Sequence, residues 1–176
     1  MIVKETRIDG AKLLKLSKHV DSRGSLMRLW CTATLEAAGL ARDFVQANVT
    51  ETRAAGTIRG LHYQVEPVAE DKLIRCTRGA VFDVVVDLRP DSTSYLQWYG
   101  IELSAGDESI FLAPRGCAHG YQTLRDDSEL EYFVTSPYSP EHERGIRWND
   151  ARFAISWPDT NPIVSNKDND WRDFGS

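Results

Sequence analysis

The segment Ala80-Val81-Phe82-Asp83-Val84-Val85-Val86-Asp87-Leu88 decides the fold class, because it alternates as a β-strand does. Successive side chains of a strand point to opposite faces of a sheet. The even-numbered residues therefore share an apolar face, and the odd-numbered residues, which include Asp83 and Asp87, share a mixed face. Two interpretations of Asp83 remain open: it lines a polar pocket on the concave side of a sheet, or it faces solvent.

Short segments rich in Val, Ile, Tyr, Phe and Trp make up much of the remaining chain. Clusters of turn-forming residues separate these segments at positions 89–92, 104–107, 125–128 and 136–140. This spacing is typical of a β-sandwich or barrel. The best helical pattern covers residues 34–38, with Thr32 as its cap and Gly39 at its end. One short helix cannot organise the chain, so we predict an all-β fold.

The composition is that of a soluble globular protein, with 41% apolar and 27% charged residues. We predict a single domain over residues 1–176, because no repeat or linker divides them. No apolar run approaches the ~20 residues of a membrane helix, and residues 1–7 do not resemble a signal peptide. We therefore expect a cytoplasmic protein with no membrane partner. The net charge of −5 disfavours a nucleic-acid partner.

The cysteines argue against a disulfide framework and against a structural zinc site. Cys31, Cys76 and Cys117 are odd in number and show no C-x-x-C spacing. We predict three free thiols. Cys117 lies close to His119 in sequence, but a buried, inert cysteine is the commoner arrangement. No Gly-x-Ser-x-Gly, P-loop or dinucleotide motif indicates a hydrolase, a kinase or a dehydrogenase.

Two of the four histidines are candidates for acid–base chemistry. His62 lies in the run Arg59-Gly60-Leu61-His62-Tyr63-Gln64, and His119 lies in a glycine-flanked segment that we predict to be a turn. An imidazole, with an ordinary pKa of about 6.5, suits a general base near neutral pH. Either residue alone could equally be structural. His19 and His142 lie in polar surroundings and are predicted at the surface.

A metal site is not expected. Metal-binding double-stranded β-helix proteins often use two closely spaced histidines and a carboxylate. The chain has no His-x-His motif, and the nearby cations Arg59 and Lys72 would repel a divalent ion. We therefore predict no metal.

Five motifs, taken together and in order, resemble the dTDP-4-dehydrorhamnose 3,5-epimerase family over nearly the whole chain. They are Arg59–Gln64, Lys72–Arg75, Arg78–Val84, Pro114–Gly120 and Pro140–Asp150. The resemblance implies a cupin-type double-stranded β-helix, or jelly roll, with a few short helices. It also implies a nucleotide-sugar substrate, no metal and no organic cofactor. A homodimer is implied as well, in which N-terminal strands cross to the sheet of the partner.

The resemblance also implies roles for the candidate residues. A 4-keto-6-deoxy sugar has acidified protons at C3 and C5, and a weak base removes them only if the enolate is stabilised. By resemblance, His62 is the base, Asp168 holds its second nitrogen, Lys72 stabilises the enolate and Tyr132 returns a proton on the opposite ring face. The pattern Ser165-x-x-Asp168 can alternatively be a helix capping box. Tyr132 can alternatively be a core tyrosine.

Further residues match positions that surround the substrate in this family. His119 and Asp83 correspond to additional pocket residues, with His119 placed to help Lys72 at the enolate oxygen. The residues that correspond to contacts with the diphosphate and the base are Arg23, Gln46, Asn48, Arg59, Tyr138 and Lys167, and Arg28 is a candidate for the base although the family has a glutamate there. Tyr138 could equally be a surface residue in its Pro-rich turn.

One segment departs from the family pattern. The family reads Arg-Gly-Phe-Phe-x-Glu, whereas this chain has Arg23-Gly24-Ser25-Leu26-Met27-Arg28. A glutamate can accept the N3 proton of thymine, whereas Arg28 can only donate hydrogen bonds. A CDP-linked substrate therefore stays open, as do inversion of one centre only, a ketoisomerase and a non-catalytic sugar-nucleotide binding module. Arg28 could also simply face solvent.

Overall fold

The computed structural model describes residues 1–40 and 43–176. Its first strands and helix are β1 (Ile2–Glu5), β2 (Lys12–Lys15), β3 (Lys18–Asp21), β4 (Gly24–Met27), α1 (Thr32–Ala37), β5 (Gln46–Thr52), β6 (Thr57–Gln64) and β7 (Lys72–Arg78). The later elements are β8 (Ala80–Asp87), β9 (Trp98–Ser104), β10 (Ser109–Ala113), β11 (Cys117–Thr123), β12 (Ser128–Val134), β13 (Glu143–Gly145), β14 (Ile163–Val164) and α2 (Asn166–Asn169).

Two large antiparallel sheets form the body of the molecule. The first sheet has the strand order β1-β2-β10-β7-β12-β5, and the second has the order β13-β6-β11-β8-β9. Strand β14 adds in parallel to β6, and β3 and β4 form a separate hairpin. Strands that are distant in sequence are thus neighbours in each sheet, as in a jelly roll. The predicted all-β, cupin-type double-stranded β-helix is confirmed.

The central strand β8 has the two faces that its alternation predicts. Val81 and Val85 pack between the sheets with Phe111 of the first sheet. Val84 and Val86 lie on the other face, in a second core that the C-terminal segment covers. Asp83 is fully buried on the inner face. The solvent interpretation of Asp83 is therefore wrong, and its carboxylate instead lies 3.0 Å from Nε2 of His119. The pocket interpretation stays a prediction.

Helix α1 lies on the outer face of the first sheet, where the buried Leu35 joins the core around Leu73. The predicted cap was wrong: Thr32 is already helical, and the extended Cys31 is the N-cap without a side-chain capping bond. Gly39 ends the helix as predicted, with a φ of 70° that favours glycine. Neither helix of the described chain is long and apolar enough to cross a membrane.

Candidate active site

Two adjoining cavities lie between the sheets. The inner cavity has a volume of about 300 Å³ and the outer cavity about 400 Å³. His62, Lys72, Tyr132 and Lys167 line both, so the two cavities form one cleft. His62 comes from the second sheet, whereas Lys72 and Tyr132 come from neighbouring strands of the first. The imidazole and the phenol thus enter the cleft from opposite sheets.

His62 is held by the carboxylate of Asp168. Nε2 of His62 donates to Oδ1 of Asp168 at 2.6 Å, which leaves the lone pair on Nδ1. The backbone N–H of Gly60 donates to the second carboxylate oxygen at 3.3 Å. Burial raises the pKa of Asp168, but its bonds to His62 and Gly60 outweigh burial and lower the pKa below its usual value. Asp168 therefore stays ionised beside the imidazole.

Only half of the capping box forms at Ser165-x-x-Asp168, because the side chain of Asp168 pairs with His62 instead of completing the box. Ser165 is the N-cap of α2, and its hydroxyl accepts from the backbone N–H of Asp168 at 3.1 Å. The cap uses the backbone of Asp168, and the pair with His62 uses its side chain. A four-residue helix thus fixes the position of the carboxylate.

The segment after α2 fastens this helix against the second sheet. Trp171 packs on Gly145, which pairs with His62 in the sheet, and its ring lies 6.3 Å from the ring of His62. A Cβ atom at Gly145 would lie 2.3 Å from Trp171. Further along, Arg147 forms an ion pair with Asp173 at 2.7 Å. These contacts hold Asp168, the side-chain partner of His62, in place.

Lys72 points into the cleft with two acceptors nearby. Its Nζ lies 3.2 Å from Oε1 of Glu70 and donates to the backbone oxygen of His62 at 3.4 Å. An ammonium group carries three N–H donors. The side chain is therefore restrained on two sides and can offer a donor to a ligand in the cleft.

Tyr132 is half-buried on β12. Burial chiefly raises the pKa of its phenol, the charges of Tyr121, Glu70 and Glu143 raise the pKa further, and Arg59 opposes them. The phenol therefore stays protonated at neutral pH and can donate a proton into the cleft.

His119 and Asp83 form a second acid–base pair. Nε2 of His119 lies 3.0 Å from the carboxylate of the fully buried Asp83, and His119 lines the inner cavity. The prediction of a turn at His119 was wrong, because the turn ends at Gly116 and β11 begins at Cys117. His119 is instead the strand partner of His62. A Cβ at Gly60 would lie 2.6 Å from Gly120, so glycines permit this close approach.

The outer cavity gathers four of the candidates for the nucleotide end. Gln46 and Asn48 line it from β5 and are bonded to each other at 3.0 Å. Tyr138 and Lys167 line it from the opposite side and share the carboxylate of Glu143, at 2.9 and 2.7 Å. Arg59 lines the inner cavity, where its Nε donates to Thr52 at 3.0 Å.

Neither Arg23 nor Arg28 is among the described residues that line the cleft. Arg23 lies at the turn between β3 and β4, where its side chain is 87% exposed and paired with Asp21 at 2.6 Å. Arg28 lines a different cavity, of about 600 Å³, together with His19 and Trp30. A single chain therefore does not bring these two arginines to the cleft, because β3 and β4 form a separate two-stranded sheet.

Two acidic residues of the cleft are absent from the sequence predictions. Glu143 lies within one of the family motifs, and its position at the start of β13, next to the strand of His62, could have identified it. Glu70 lies in a loop before β7, where no periodic pattern marks it as buried.

The cysteines are free, as predicted. Burial raises the pKa of the Cys117 thiol to about 12, so this residue is not an activated nucleophile. Within residues 1–40 and 43–176, no three side chains of His, Cys, Asp or Glu come together in a way that could hold a metal ion.

The chain is similar to a set of known proteins that share one description. The family model described as dTDP-4-dehydrorhamnose 3,5-epimerase matches residues 5–176. A dTDP-4-dehydrorhamnose 3,5-epimerase of Sinorhizobium fredii is 40% identical, over 96% of this chain and 87% of the relative. The crystal structure of such an enzyme from Bacillus anthracis, with TDP and PPi bound, has a TM-score of 0.93 and 44% identity, covering 97% of each chain.

A solved structure with a different description also has this fold. A 3'-monoepimerase of Streptomyces bikiniensis, in complex with dTDP-quinovose, is 29% identical with a TM-score of 0.87. The match covers 96% of this chain and 85% of that one.

Proposed function

Since the chain belongs to the dTDP-4-dehydrorhamnose 3,5-epimerase family, we propose that it converts dTDP-4-dehydro-6-deoxyglucose to dTDP-4-dehydrorhamnose by inverting C3 and C5. It is an isomerase that acts on a carbohydrate. One observation carries the mechanism: His62 and Tyr132 enter the cleft from opposite sheets, with Lys72 beside them. Inversion needs a base on one face of the ring and an acid on the other.

His62 removes the proton at C3. Its Nε2–H is committed to Asp168, so Nδ1 takes the proton, and the ionised carboxylate stabilises the imidazolium that forms. The electron pair of the broken C–H bond passes into the carbonyl and gives an enolate. The Lys72 ammonium stabilises the negative charge on the enolate oxygen, and we assign His119, held by Asp83, to the same oxygen.

Tyr132 then delivers its proton to the opposite face of C3. Its raised pKa suits this role, because the phenol is protonated before the step and becomes basic once it has given up its proton. His62 passes its proton to solvent and Tyr132 regains one, which restores the starting state. The same cycle at C5 completes the second inversion.

The outer cavity binds the nucleotide end of the substrate. Gln46, Asn48 and Tyr138 supply amide groups and an aromatic face for the base. The cationic side chains of Lys167, which lines both cavities, and Arg59, which lines the inner one, suit the diphosphate at the junction of the two.

We also propose that the protein is a homodimer in which the β3–β4 hairpin crosses to the partner. Val20 and Leu26 on this hairpin are 75% and 73% exposed. Strand β5 forms an edge of the first sheet, and Val45 and Val49 there are exposed as well. Covering both apolar surfaces at once would carry Arg23 and Arg28 towards the cleft of the other subunit.

We infer further that residues 1–176 act as one domain, because the cleft uses elements from β5 to α2. The three free thiols favour a reducing compartment, and we propose the cytoplasm.

Deuterium uptake tests the proposed function. The protein would be incubated in deuterium oxide with dTDP-4-keto-6-deoxyglucose and, separately, with its CDP-linked counterpart. Nuclear magnetic resonance then counts deuterons at C3 and C5. We expect one deuteron at each carbon of the dTDP sugar, with both centres inverted. Uptake at one carbon would indicate a single-centre epimerase, and none on either substrate would contradict catalysis.

A further inference from the structure

Glu70 is a buried acid at the edge of the cleft, and the mechanism above does not use it. It is 8% exposed and lines the outer cavity together with His62, Lys72 and Tyr132. One oxygen, Oε1, lies 3.2 Å from Nζ of Lys72. Among the residues that the structure describes, no donor lies within hydrogen-bond reach of the buried Oε2.

Such an arrangement is costly in a purely structural role. Burying a carboxylate is unfavourable unless its oxygens are well paired, and here half of its acceptor capacity is unused. Buried polar atoms without partners are rare in folded proteins and call for an explanation. A role for the negative charge of Glu70 beside the reacting groups would explain why this carboxylate is buried.

We propose that Glu70 is a positioning residue that directs the Lys72 ammonium at the enolate oxygen and places a negative charge in the cavity that the Tyr132 phenol also lines. The inference rests on the proposed function, because it assigns Glu70 to the same reaction.

The first part follows from the geometry of Lys72. A lysine side chain is long and flexible, and an untethered ammonium would visit several positions. Oε1 of Glu70 and the backbone oxygen of His62 restrain Nζ on two sides, which directs the remaining donor into the cleft. Losing the Glu70 charge would loosen this orientation. Because the orientation matters most for the enolate, kcat should fall more than KM rises.

The second part follows from the charges around Tyr132. Burial, which raises the pKa of its phenol, has the largest effect, followed by the charges of Tyr121, Glu70, Arg59 and Glu143. The side chains of His62, Lys72 and Lys167 face the same cleft. Among the charges, those of Glu70 and Glu143 raise the pKa and that of Arg59 lowers it. Removing the Glu70 charge should therefore lower the pKa of the phenol, so that Tyr132 loses its proton at a lower pH.

The test compares Glu70→Gln with Glu66→Gln, an exposed acid in the same loop. Rates of epimerisation of dTDP-4-keto-6-deoxyglucose are measured from neutral to alkaline pH. For Glu70→Gln we expect kcat to fall about tenfold or more with KM changed less than about threefold, as for a lost positioning contact. The alkaline limb of the rate profile should move to lower pH. Glu66→Gln should match the wild type.

A second measurement does not depend on turnover. The phenolate absorbance of Tyr132 is obtained as the difference between each protein and the same protein carrying Tyr132→Phe. We expect Tyr132 to titrate at a lower pH in Glu70→Gln than in the wild type. Glu70→Asp, which keeps the charge but shortens the side chain, should keep the titration near its wild-type position and still lose kcat.

The outcomes separate this inference from the proposed function. A wild type that does not invert the sugar refutes the function, whatever Glu70 does. If Tyr132 titrates at the same pH in Glu70→Gln, the charge role is refuted. If kcat is also unchanged in a folded Glu70→Gln protein, as judged by circular dichroism, the positioning role is refuted as well.

Discussion

The cleft and the β3–β4 hairpin differ in how completely one chain builds them. In the cleft, side chains from β6, β7, β12 and α2 meet, although His62 and Asp168 are 106 residues apart in sequence. On the hairpin, Arg23 forms an ion pair with the neighbouring Asp21, and the apolar side chains beside it are exposed. The difference supports our proposals that one chain supplies all the catalytic groups and that recognition of the nucleotide needs two chains.

His62→Ala has the largest expected effect and tests whether the chemistry occurs in the cleft. Removing a general base should lower the rate by roughly a thousandfold. Deuterium uptake at both C3 and C5 should disappear together. His142→Ala, in a partly exposed histidine that lies outside the cleft lining, is the matched control. Uptake in His62→Ala at the wild-type rate would refute the assignment of the base.

Tyr132→Phe should separate exchange from inversion. Without the phenol, His62 can still remove a proton and return a deuteron on the same face, so exchange persists. Formation of the inverted product should fall by about a hundredfold, as for the loss of a general acid. The measurement is the ratio of deuterated starting sugar to product. Tyr95→Phe, in an exposed tyrosine, should change nothing. Product formation at the full rate in Tyr132→Phe would show that another acid serves the far face.

Mixed dimers of two variants test whether the hairpin of one subunit serves the cleft of the other. Arg23→Ala alone should raise KM about tenfold, as expected for one lost charged contact to a diphosphate. Co-expressed with His62→Ala, it should give mixed dimers in which one cleft combines an intact His62 with an intact Arg23 from the partner. At low substrate concentration, activity should recover to about a quarter of the wild type, since half the dimers are mixed and each restores one site. No recovery would mean that each hairpin serves its own chain or none.

Arg28→Glu should have the smallest effect, because it alters preference rather than chemistry. The substitution gives the base an acceptor in place of a donor. We expect binding of dTDP to strengthen relative to CDP by about tenfold, or ~1.4 kcal/mol. Calorimetry with both nucleotides measures the change, and Lys18→Glu, on the same hairpin, controls for net charge. An unchanged preference would exclude Arg28 from recognition of the base.

The sequence predicts those structural features that are determined by neighbouring residues. The alternation of residues 80–88 predicted β8 and both of its faces, because a strand imposes its period on every residue. Predictions without such a repeating pattern were wrong. Thr32 was predicted as the helix cap, but the helix begins one residue earlier than expected and Cys31 is the N-cap. The glycine-flanked segment around His119 resembles a turn but forms a strand.

The site shows the same limit. His62 and Asp168 were paired through resemblance, since no local pattern links residues so far apart. Whether Arg23 and Arg28 reach a cleft depends on the proposed contact of their hairpin with a partner subunit, which no local pattern predicts. Glu70 was missed because burial of an acid in a loop is a property of the tertiary fold.

The late position of α2 has a consequence for synthesis. A ribosome completes the strands of both sheets before it adds Asp168, so the base exists long before the carboxylate that holds it. His62 gains its partner carboxylate only when α2 lies against the strand of His62, with the following Trp171 packed on Gly145.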